Sequence, residues 1–109
     1  MIYDFWVQEP YKTFLINWQK TIEGRLNKWK FKEIKNWDIL LMDTWEKFEV
    51  LRTKIYETFS DMIVTEGIEN IIPDKKTIEE WVKVYYKFYS KEMEKEFWVV
   101  WIFLKLLIN

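Results

Sequence analysis

The chain has 109 residues, enough for one domain, and half of them are apolar and a fifth aromatic, a composition that excludes a disordered chain. The net charge of -1 excludes a global field that would draw in nucleic acid. The absence of Cys and His excludes disulfides, thiolate metal sites and Cys nucleophiles and removes the commonest general base and metal ligand, so neither a metal nor a cofactor is expected.

Residues 1–9 read as a short N-terminal arm. Asp4 stands where a secretory signal needs basic residues, and no small-residue cleavage site follows, so no such signal is expected and an intracellular or virion-associated location is. Pro10 fits the first position of a helix, where its missing N–H costs nothing. Tyr11, Phe14, Leu15, Trp18, Ile22, Leu26 and Trp29 then recur at steps of three and four and predict an amphipathic helix over 11–32, with Gly24 a weakening at about 1 kcal/mol. Asn36 is a candidate N-cap and Asp38 suits a first turn. The stripe Trp37, Leu41, Trp45, Phe48, Leu51, Ile55, Phe59, Met62, Ile63 predicts a second helix over 37–66, stopped by Gly67. In the linker that follows, Ile68, Ile71 and Ile72 are expected to pack over the end of the bundle. Thr77 and Glu80 form a capping-box pair, and Ile78, Trp81, Tyr85, Tyr89, Met93, Phe97, Trp101, Leu104 and Ile108 predict a third helix over 77–108.

Two helices of about 45 Å each exceed the dimensions of a compact chain of this size. The expected fold is therefore all-α: a single helical domain built as an elongated antiparallel three-helix bundle. Its C-terminal segment, FWVVWIFLKLLI, is apolar all round with Lys105 its one charge, whereas an amphipathic helix needs an apolar stripe of only about 100°. Two neighbours cannot cover such a helix. Phe97, Trp98, Trp101, Ile102, Leu104 and Ile108 are thus expected to carry self-association, with a homodimer favoured. The run is too short to span a membrane, but Trp suits an interfacial position, so a peripheral membrane role is an alternative.

Arg25, Lys28, Lys30, Lys32 and Lys35 interleave with Trp29 and Phe31. Cations with aromatics can hold phosphates and stack on bases, which makes this segment the candidate nucleic-acid contact; the plainer reading is a solvated face opposite an acidic helix. Asp38, Asp43, Glu46, Glu49, Glu57, Asp61, Glu66 and Glu69 form an acidic face of the second helix that could dock a protein partner. Glu46 with Glu49, and Glu92 with Glu96, have helix-neighbour spacing, but di-iron bundles add a His that this chain lacks, and the flanking lysines read as surface. The tyrosines of VKVYYKFYS (Val82–Ser90) could form a stacking platform, though their spacing reads as packing. Glycine-rich phosphate loops are absent. In composition, rich in Ile, Lys and Trp and free of Cys, the chain resembles small proteins of archaeal viruses and mobile elements, a resemblance that covers no motif and implies an accessory role. The expectation is a non-enzymatic interaction protein.

Overall fold

A computed structural model describes residues 1–17, 20–67 and 77–107. Among them the chain runs β1 (Ile2–Phe5), α1 (Tyr11–Ile16), β2 (Ile22–Leu26), α2 (Lys30–Glu33), β3 (Ile39–Met42), β4 (Lys47–Tyr56), α3 (Phe59–Glu66), α4 (Ile78–Tyr86), α5 (Lys91–Phe97) and β5 (Val99–Leu107). The five strands form one mixed sheet in the order β1-β3-β4-β5-β2. β1 and β3 are parallel and every other pair is antiparallel. The fold is therefore α/β, which corrects the all-α bundle.

The apolar C-terminal segment causes the difference. β5 lies between β4 and β2, with Val100 opposite both Ile55 and Arg25. Successive side chains of a strand point to opposite faces. Val100, Ile102 and Leu104 join Phe5, Leu40, Phe48 and Val50 in one buried cluster, while Val99 and Trp101 join Phe59, Met62, Trp81 and Tyr85 in a second. A strand covered on both faces has no polar side, so its sequence reads as a continuous apolar run, which a helix apolar all round mimics.

The second predicted helix is two strands and one helix. Leu40 and Met42, then Phe48 and Val50, are buried at a spacing of two, the period of a half-covered strand. Trp37 and Trp45, assigned above to the helical stripe, are exposed. At Leu51 a bulge shifts the register, so that Val50 faces Leu104 and Arg52 faces Phe103. The first predicted helix survives as α1 and α2, separated by β2. The third survives as α4 and α5. Ser90 opens α5, its side chain accepting from Met93 N at 3.1 Å, and this second N-cap is the signal that the long helical reading passed over. Two predicted boundaries stand: Thr77 Oγ1 accepts from Glu80 N at 3.1 Å at the start of α4, and Gly67, with φ 90, ends α3. Trp18, Ile68, Glu69, Ile71, Ile72 and Ile108 lie outside the described residues.

The radius of gyration is 13.0 Å and the extents are 37 × 28 × 22 Å, which corrects the elongated shape as well. A buried carboxylate ties the helices at one end: Glu94 accepts from Phe59 N at 2.8 Å and from Tyr86 Oη at 2.6 Å. Among the described residues, no helix is long and apolar enough to cross a membrane.

Candidate functional site

Lys20, Glu23 and Arg25, on β2 and just before it, form a charge cluster in the interior. Ile22 and Leu26 anchor β2 in the core, and Glu23 and Arg25, two apart on the strand, share its other face. Lys20 and Glu23 are only 3% and 5% exposed, a rare state for charged side chains that are not paired. They are paired. Lys20 Nζ lies 3.4 Å from Glu23 Oε1 and also donates to the carbonyl of Ile22. Arg25 Nη2 donates to Glu23 Oε2 at 2.9 Å and to the Trp6 carbonyl at 2.7 Å, with the guanidinium 4.8 Å above the Phe31 ring. One carboxylate thus stands between two cations, leaving the cluster with an excess positive charge.

Burial pushes the Glu23 carboxyl up, but Lys20 and Arg25 outweigh it and hold the group below the usual carboxylate range. Burial holds the Lys20 ammonium below its usual range, against the pull of Glu23. The Tyr85 phenol is raised well above its usual value, first by burial and then by the Glu23 charge.

These groups line a cavity of about 270 Å³. β2 forms its floor, the segment after β1 supplies Trp6, Val7 and Gln8, α1 supplies Tyr11, and α4 with the turn after it supplies Val84, Tyr85, Phe88 and Tyr89. Gly24 is required here by close approach. A Cβ on it would lie 2.7 Å from Met62 Cε and 2.8 Å from Tyr85 Oη. The methionine could yield, but the tyrosine ring is stacked on Phe59 at 4.1 Å and 8°, with Tyr89 stacked on the same Phe59 at 5.6 Å. The Tyr85 hydroxyl is buried with no hydrogen-bond partner among the described residues, an unusual condition for a polar group. Among the described residues no cluster of three His, Cys, Asp or Glu side chains could hold a metal.

Of the predicted nucleic-acid contacts, Arg25 belongs to this pocket. Lys30 donates to the Asp4 carbonyl on the strand that leads to Trp6. Lys28 Nζ sits 4.3 Å from the ring of exposed Trp29 and 4.2 Å from that of Phe97. Lys32 and Lys35 are exposed. The segment is a strand end, a turn and a short helix, so its cations do not share one helical face.

The residues expected to self-associate are placed differently. Trp101, Ile102 and Leu104 are interior, covered by the chain's own strands and helices, so they need no partner to shelter them. Trp98 is exposed and Phe97 half-buried. The acidic face of the second helix has no single helix to carry it, since only Asp61 and Glu66 lie on α3. Asp38 pairs with the N-terminal ammonium at 3.0 Å, Asp43 with Lys12 at 3.1 Å, and Glu66 accepts from Tyr56 Oη. Sequence reasoning missed Lys20, Glu23, Tyr11 and Trp6. The available signal was KTIEGR, an acid and a base two apart around a glycine and flanked by Ile22 and Leu26, which is a strand pattern with charge on a covered face. Tyr85 and Tyr89 were weighed as a stacking platform, and they do line the pocket while also packing in the core.

Two solved structures are similar to this chain over its length. The crystal structure of hypothetical protein PH0355 has 39% sequence identity and a TM-score of 0.94, covering 98% of this chain and 100% of that one. The solution structure of protein PF0455 from Pyrococcus furiosus has 34% identity and a TM-score of 0.86, with 100% of both chains covered. No protein-family model matches the chain, and neither does a curated protein. With more than a third of its residues identical across the whole length and the same sheet beneath them, the chain belongs to one family with PH0355 and Pyrococcus furiosus PF0455.

Proposed function

We propose that the protein binds a nucleobase, presented by single-stranded nucleic acid, in the pocket between β2, α1 and α4. The observation that carries this reading is the Tyr85 hydroxyl, buried and without a partner at the wall of a cavity that also holds Lys20, Glu23 and Arg25. A base offers a flat π face to the rings of Tyr11, Phe88 and Tyr89, and carbonyl and amino edges to cationic donors and the Glu23 acceptor. At about 270 Å³ the cavity is at the small end of ligand pockets, suited to one ring system. Arg25 opens the basic segment that continues through Lys28, Lys30, Lys32 and Lys35, a route for the phosphates of the same strand.

Titration of intrinsic fluorescence with nucleosides and short oligonucleotides tests the reading. Tyr85→Phe is expected to weaken binding roughly 3- to 10-fold, the worth of one hydrogen bond, while leaving the melting temperature unchanged or higher because an unpaired buried hydroxyl is removed. A protein that binds no nucleoside and no oligonucleotide at millimolar concentration ends it.

A second reading is favoured by Lys20. A buried lysine held below its usual range beside a carboxylate at 3.4 Å is suited to act as a general base toward the bound ligand. Incubation with nucleosides, followed by chromatography, separates the two: turnover lost in Lys20→Arg supports catalysis, and unchanged ligand supports binding alone.

A further inference from the structure

Among the described residues, four that are not glycine have positive φ, and all four are tryptophan: Trp29 at 53, Trp37 at 76, Trp45 at 77 and Trp98 at 64. Positive φ is uncommon outside glycine, and where it occurs Asn, Asp and His lead, because a bulky Cβ substituent crowds the backbone there. Each of the four occupies a place with its own demand for glycine. Trp98 follows α5 and combines φ 64 with ψ -168, a region essentially restricted to glycine. Trp29, with φ 53 and ψ -139, lies close to the same region just before α2. Trp37 is the third residue of the turn closed by Asp38 N donating to Lys35 O at 3.1 Å, the position that takes positive φ and hence glycine in a type II turn. Trp45 ends the turn closed by its own N–H on Met42 O at 3.0 Å, just before β4, where hairpins place a left-handed glycine.

All four indoles are exposed, with Trp98 about half covered and the Lys28 ammonium over the Trp29 ring, so little packing offsets the strain. Of the other three described tryptophans, Trp81 and Trp101 are buried with indole N–H groups that find no acceptor among the described residues. Composition agrees. The chain has eight Trp and two Gly, while average usage for this length gives about eight Gly.

We infer that positions 29, 37, 45 and 98 are glycine positions of this fold, and that the codon written as tryptophan there is UGA, decoded as glycine in the source organism. UGA is a stop codon in most genetic codes, tryptophan in some and glycine in others. One decoding assignment accounts for all four positions, whereas four independent substitutions to the same unsuited residue do not share a cause. The exposed indoles are then no aromatic docking surface, and the inference stands independently of the pocket's ligand.

Three measurements test it. The gene is expected to carry UGA at all four positions; UGG at any of them overturns the decoding claim. Peptide mass spectrometry of the protein isolated from its own cells is expected to show glycine at each, and tryptophan there overturns it too. For the positional claim, the four-fold Trp→Gly chain is compared with the four-fold Trp→Ala chain, which also removes the indoles but keeps Cβ. The glycine chain is expected to melt higher, by roughly 5 °C for each position relieved. Equal melting of the glycine and alanine chains overturns the positional claim.

Discussion

Glu23 shows how a single side chain couples stability to the pocket. It is buried between Lys20 and Arg25, whose charges hold its carboxyl low despite burial. A carboxylate with a depressed folded value stabilises the fold above its ordinary value of 4.5, and this contribution is lost as pH falls through the lower folded value. Glu9, held low by its hydrogen bonds from Thr13, and Asp38, held low by the Lys35 N–H, lose theirs in the same direction. Glu23→Gln isolates the one effect. At pH 7 it leaves two buried cations without their anion and is expected to cost about 3 kcal/mol in urea unfolding. Its stability should also fall less steeply than that of the parent below pH 4.5, and parallel acid limbs would show that Glu23 is not held low. The strand pattern in KTIEGR hints at a covered face but does not by itself announce this role. Three charges in six residues read as surface until the strand places two of them on a covered face.

At the scale of elements, β5 is the clearest case of a correct observation leading to a wrong element. The apolar run needs cover on all sides, and its first half, from Val99 to Ile102, has that cover from β4, β2 and the layers on the two sheet faces. Ile102 is fully buried in the first cluster. Ile102→Ala is expected to cost about 3 kcal/mol in urea unfolding, while Ile55→Ala, at an exposed site on β4, costs under about 1 kcal/mol. Equal costs at the two sites would mean that β5 is not the buried centre of the sheet. The helix signals that depend on one or two residues were legible, as at Thr77 and Gly67, because a cap is a local hydrogen bond or a local backbone shape. The strand signals were not, because steps of three and four can be threaded through the strands of a chain that is half apolar.

For the whole molecule, a net charge of -1 gives no long-range attraction to nucleic acid, so binding must rest on the local basic segment. If the strand follows that segment, affinity for an oligonucleotide falls with added salt, with a slope of about -0.7 per phosphate contact. Lys32→Ala removes one exposed cation and is expected to flatten the slope by about 0.7 without altering nucleoside binding in the pocket. An unchanged slope would place the phosphates elsewhere.

By itself the sequence determined the excluded chemistries and several turning points. A chain without Cys or His has no thiolate or imidazole whatever its fold, and Thr77 and Gly67 act within a few residues of themselves. Only the tertiary structure decided that the apolar tail is an enclosed strand and that Trp6, Tyr11, Glu23 and Tyr85 share one pocket. Burial on two faces erases the period that distinguishes strand from helix, and a pocket drawn from three separated segments exists only once the sheet and its helices have brought them together.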